Sequence, residues 1–100
     1  MDRHTISWIF LATILASQKE LASFNSISRI ADGINHAIPT HKELQSSLSW
    51  LTKNELLIKI GRAYTLTDKG KLDYESCSRN ASTILLIWKN LENLMRKYEI

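Results

Sequence analysis

Cysteine, proline and glycine are scarce in this chain of 100 residues, with one, one and three copies. Cys77 has no second cysteine to pair with, which excludes an intramolecular disulfide framework and points to a reducing, cytoplasmic setting. It reads as a half-buried bystander. So few glycines and prolines leave no room for flexible linkers or low-complexity tracts. They also exclude a glycine-rich phosphate loop, because Gly61 and Gly70 stand too far apart to form one.

Long apolar runs are missing as well. Ile6 to Ala16 is broken by Ser7 and Thr13 and falls short of the roughly 20 residues that a bilayer span needs. Although Met1-Asp2-Arg3-His4 in front of it gives a superficial likeness to a signal peptide, the interrupted run reads as a helix of the folded domain. No membrane partner is expected, and the sequon Asn80-Ala81-Ser82 carries no weight in a cytoplasmic chain.

Catalytic material is thin. His4, His36 and His41 fall in a tail, a turn and a helix start, and their spacing with distant Cys77 matches no zinc pattern. Asp73 and Glu75 lie in a charged stretch that reads as exposed rather than as paired catalytic carboxylates. The expectation is therefore a non-enzyme with no cofactor and no metal.

What remains is ordinary globular material: 44% hydrophobic and 23% charged residues, enough for one core and too little for two, with no internal repeat. The net charge is +3. All of the excess lies between Thr40 and Lys71, where Lys42, Lys53, Lys59, Arg62, Lys69 and Lys71 face only Glu43, Glu55 and Asp68. A positive balance confined to one segment points to a polyanionic partner.

Periodicity gives the order of elements. A first helix over Ile6 to Ser17 has two apolar faces, one with Ile6, Ile9, Phe10 and Ile14, the other with Trp8, Leu11 and Leu15. Such a helix needs cover on two sides, from the last helix of the same chain or from a second copy. A second helix, Asn25 to Asn35, puts Ile27, Ile30, Ala31 and Ile34 on one stripe, and Gly33 followed by Asn35 reads as its stop. Pro39 then separates it from the next helix.

Thr40 and Glu43 have the spacing of a capping box that opens the third helix. Leu44, Leu48 and Leu51 must face the core, which leaves Lys42, Ser46, Ser49 and Lys53 on the opposite side, with Gln45 on its shoulder. Alone, such a face reads more readily as solvated surface. The hairpin that follows changes the reading: Leu57 to Ile60, a Gly61-Arg62 turn and Ala63 to Leu66 leave Lys59 and Arg62 outward or at the tip. Thr67 caps a short helix starting at Asp68.

The segment Ser82 to Glu99 has a broad stripe of Ile84, Ile87, Trp88, Leu91, Leu94, Met95 and Tyr98, widened by Leu85 and Leu86. Its near-heptad spacing suggests self-association, giving a homodimer whose interface carries Trp8, Leu11, Ile84, Ile87, Leu91, Leu94 and Tyr98.

With Leu44, Leu48, Leu51, then Glu55-Leu56-Leu57, then Tyr64-Thr65-Leu66-Thr67-Asp68-Lys69-Gly70 in place, the chain resembles the winged helix-turn-helix regulators of the MarR and PadR type. The resemblance covers about Ile6 to Lys71. It implies a mainly α (α+β) fold over 1–100: a winged helix-turn-helix over 6–71 with a short two-stranded wing, and a long C-terminal helix over 82–99 for dimerisation. Asn54 takes the place of the usual glycine at the end of the recognition helix, a role that left-handed geometry at Asn permits.

The function implied is sequence-specific binding of double-stranded DNA by a small transcriptional regulator. Lys42, Gln45, Ser46 and Ser49 would meet base edges or nearby phosphates, and Arg29, Lys53, Lys59 and Arg62 would contact phosphate. Two other readings stay open: a winged helix used for protein–protein interaction without DNA, and a sensor of an apolar effector held between the first and last helices.

Overall fold

The computed structural model describes residues 2–98 and orders them as α1 (Arg3–Ala16), α2 (Phe24–Asn35), α3 (His41–Lys53), β1 (Leu57–Ile60), β2 (Ala63–Leu66), α4 (Asp68–Ser78) and α5 (Ile84–Leu94), closed by a 3-10 turn, Met95–Tyr98. The chain is mainly helical with one small antiparallel sheet. Glu99, the expected end of the last helix, lies outside the described residues.

Local capping chemistry sets most helix starts. Asp2 accepts the Thr5 amide at 2.7 Å, which starts α1 three residues before the first periodic apolar position and places His4 in the helix rather than in a tail. Ser23 and Ser26 form a reciprocal box at α2. Thr40 and Glu43 form the expected box at α3, at 3.0 and 2.9 Å. Thr67 caps α4 and Thr83 caps α5.

Helix ends depart from the expectation. Left-handed geometry falls on His36 (φ 54°), directly after Asn35, rather than being supplied by Gly33. At the end of α3 it falls on Glu55 (φ 63°), not on Asn54, whose φ is −90°. Asn54 instead folds its side-chain amide back onto the Trp50 carbonyl at 2.9 Å. The Leu56 amide closes the helix on Leu51 O at 3.0 Å, a bond that requires the residue between to turn left.

The core gathers around α1, which is buried from Ile6 through Ile14. Its cover comes from the same chain. Trp8 donates its indole N–H to Ala31 O of α2 at 2.9 Å, and Trp88 of α5 donates to Ser7 Oγ at 3.1 Å. Leu44, Leu48 and Leu51 of α3 join this core with Ile27, Ala31 and Ile34 of α2, as the spacing predicts, while Ile30 is only half-buried. Trp8, Leu11, Ile87 and Leu91, expected at a dimer interface, are spent inside one chain, since α5 crosses α1 and the two apolar faces satisfy each other. The exposed apolar residues of α5 are Ile84, Leu85 and Leu86.

The hairpin pairs Leu57 with Leu66, Ile58 with Thr65, Lys59 with Tyr64 and Ile60 with Ala63. Gly61 at φ 64° supplies the positive dihedral that a two-residue turn with glycine first demands. Tyr64 exchanges both backbone hydrogen bonds with Ala22, at 2.8 Å each, so a one-residue antiparallel bridge ties the α1–α2 connection to β2. Alternation puts Lys59 on the face shared with Tyr64, its ammonium 5.9 Å from the ring centroid, and leaves Ile58 and Ile60 on the other face. Lys59 is thus solvent-exposed but not on the outer face.

Two further corrections concern α4. It runs on to Ser78 and buries Asp73 and Cys77, because its inward face packs on α5 and the 3-10 turn. Gly70 serves a different contact, letting the start of α4 lie close against the α3–β1 connection: a Cβ there would collide with the carbonyl oxygen of Leu56.

Candidate nucleic-acid interface

The outward face of α3 is laid out as its spacing predicts. Lys42, Gln45, Ser49 and Lys53 are exposed and Ser46 is half-buried, opposite the buried Leu44, Ser47, Leu48 and Leu51. None of the five has a side-chain partner among the described residues. Their donors and acceptors are therefore free for a ligand, and helix positions 3 or 4 apart place them within one groove-sized strip.

Both ends of that strip meet other elements. Near its start, Lys42 and Ser46 line a hollow of about 320 Å³ with Asp2, Thr5 and Glu43, so the beginning of α1 borders the face. The Asp2 carboxyl is held below its ordinary value chiefly by the Thr5 amide, keeping a negative charge beside Lys42. Beyond Lys53, Lys69 of α4 reaches back to donate to Asn54 O at 3.2 Å, placing a cation at the negative end of the helix. No spacing rule in the sequence announces that contact, which is 15 positions long.

Lys59 and Arg62 come together where the hairpin meets the start of α2. With Tyr64, Ser23, Phe24 and Asn25 they line an open cleft of about 450 Å³. Phe24 forms its inner wall, stacked on Tyr64 at 6.3 Å and tilted against His41 at 5.9 Å. Two cations beside the amino end of a 12-residue helix favour an anion, because the helix dipole adds to their field. Ser23 and Asn25 were missed from the sequence; the Ser23-x-x-Ser26 pair was their only signal, and it lacks the Glu or Gln of the usual box.

Arg29 stands apart from this group. It lines shallow hollows with Gln18, Lys19 and Glu20 on one side and with Asn25, Asp32 and Ile38 on the other. Of the basic residues assigned to phosphate, Lys59 and Arg62 share one cleft and Arg29 does not.

Among the described residues no three His, Cys, Asp or Glu side chains gather as a metal site, and no helix is long and apolar enough to cross a membrane. His4 stacks on Trp88 at 4.5 Å and meets Glu92 at 3.0 Å; His36 ends α2 and His41 opens α3. The space between α1 and α5, the place an apolar effector would need, contains the Trp88 ring, hydrogen-bonded to Ser7 and stacked on His4. No family model, curated protein or solved structure matches this chain.

Proposed function

We propose that the chain is a winged helix-turn-helix domain that binds double-stranded DNA, with α3 in the major groove, and acts in the cytoplasm as a small non-enzymatic transcriptional regulator. The observation that carries this reading is the free outward face of α3 together with the Lys59–Arg62 cleft, whose Phe24 wall touches His41 at the start of α3. The backbone bridge between Ala22 and Tyr64 supports it, because it fixes the hairpin against the start of α2, where the two cations stand. In this arrangement Gln45, Ser46 and Ser49 meet base edges together with Lys42, while Lys53, Lys59 and Arg62 hold phosphates and Arg29 contributes at the margin.

A homodimer belongs to the proposal, with its contact moved to the exposed Ile84, Leu85 and Leu86. A stable monomer by light scattering at micromolar concentration would remove it. A protein-interaction role is the second reading, favoured by Ile58 and Ile60, each 48% exposed on the outer face of the hairpin.

A salt titration of binding to generic duplex DNA separates the two. Under the DNA reading, affinity falls steeply with salt, and Lys42→Ala and Arg62→Ala each lower the slope by about one when their partner is a phosphate. Unchanged low-salt affinity in the double variant, with the circular dichroism spectrum intact, would overturn the regulator mechanism proposed here, and weak duplex binding with no sequence preference would favour the second reading.

A further inference from the structure

The residues that close the carboxyl end of α3 come from three separate parts of the chain, and they converge on Tyr98. Its ring meets Trp50, from the last turn of α3, in a T-shaped pair at 5.7 Å and 83°. Lys69 of α4 lies 4.9 Å from the ring centroid while the same ammonium donates to Asn54 O, at the end of α3. Lys97, the neighbour of Tyr98, sits 5.3 Å from the ring. The Tyr98 hydroxyl donates to Asp73 Oδ2 at 2.7 Å.

Asp73 makes the arrangement all-or-none. Its side chain is 11% exposed, and its two oxygens are met by Tyr98 and by Lys97 Nζ at 3.3 Å, both in the 3-10 turn. If the turn leaves, the carboxylate loses both partners at once, because Tyr98 and Lys97 belong to the same four residues. Removing the turn also bares the half-buried Trp50 and frees Lys69 from the ring that steadies it.

We propose that the turn Met95–Tyr98 is a latch for the carboxyl end of α3, and that Tyr98 is a positioning residue fixing that end against α4. Seated, the turn holds Trp50 to Asn54 in register with the hairpin; released, it leaves them to fray. The consequence for DNA rests on the function proposed above: Ser49 and Lys53 occupy the latched half of the face, whereas Lys42 and Gln45 occupy the half held by the Thr40–Glu43 box.

Amide hydrogen exchange on the full chain tests the latch without DNA. Tyr98→Ala should accelerate exchange by about tenfold or more at Trp50 to Asn54 while leaving α2 and the first turn of α3 near wild type. Tyr98→Phe keeps the ring on Trp50 and gives a smaller acceleration at the same amides. Should the alanine variant fold too poorly to measure, Tyr98→Phe and Asp73→Asn carry the test. Unchanged exchange at Trp50 to Asn54, or acceleration spread evenly over all helices, overturns the latch. Duplex binding measured in parallel separates the two ideas. Local acceleration in a protein that never binds DNA keeps the latch and removes the regulator, and reduced preference for a chosen sequence alongside local acceleration supports both.

Discussion

The amino end of α3 is held by residues three apart, Thr40 and Glu43, while its carboxyl end, besides the local bonds of Asn54 and Leu56, is met by Lys69, 15 positions beyond Asn54, and by Tyr98 at the far end of the described chain. The first arrangement is written in the local sequence and forms as soon as the helix does. The second exists only when α4 and α5 have packed. A helix anchored in these two ways has a firm start and a conditional finish, and the side chains assigned to DNA divide between the halves.

The most damaging way to break the comparison is to remove what both halves share. Leu48 is fully buried at the middle of α3, and Leu48→Ala should cost about 2–5 kcal/mol in denaturant unfolding. A loss below roughly 0.5 kcal/mol would mean that the faces of α3 are misassigned. Gly70→Ala comes next and strikes the carboxyl side. The new methyl meets the Leu56 carbonyl, so α4 must shift, at a cost of about 1–3 kcal/mol. A neutral Gly70→Ala would show that α4 is not pressed against the end of α3.

Thr40→Ala strikes the amino side alone and should cost about 1 kcal/mol through the lost cap, with exchange speeding up in the first turn of α3 and not at Trp50 to Asn54. The smallest effect sharpens the comparison by pH. Burial pushes the Cys77 thiol up, and burial together with the Asp73 carboxylate pushes the Tyr98 phenol up. Both groups stay neutral in the folded chain, so this part of the stability is whole below the ordinary thiol and phenol values of 9.0 and 10.0 and drains as pH rises past them. Denaturant midpoints at neutral pH and near about pH 10 should therefore differ in wild type and differ less in Tyr98→Phe. An equal alkaline loss in the variant would place the cause elsewhere.

Much of the scaffold was legible in the residues themselves. The apolar stripes of α2 and α3, the Thr40–Glu43 box and the Gly61-Arg62 turn each follow from spacings of a few residues, which is the range over which backbone geometry repeats. The outward face of α3 followed from the same arithmetic. Asp73 is the clearest failure: in sequence it sits among charged neighbours and reads as exposed, and only the return of Tyr98 and Lys97 makes its burial affordable. The dimer stripe failed for a related reason, because a helix pattern reports that Leu11 and Leu91 need cover but not which surface supplies it.

The sequence by itself therefore determined where helices start, which side of each is apolar, and that the positive charge concentrates between Thr40 and Lys71. Tertiary structure decided that α1 is covered within its own chain, that Lys59 and Arg62 share one cleft with the start of α2, and that the last turn of α3 closes on Tyr98. The physical reason is range. Propensity, capping and periodicity act over about one or two helical turns, whereas burial, dielectric and partner choice depend on which distant surfaces meet once the chain has closed.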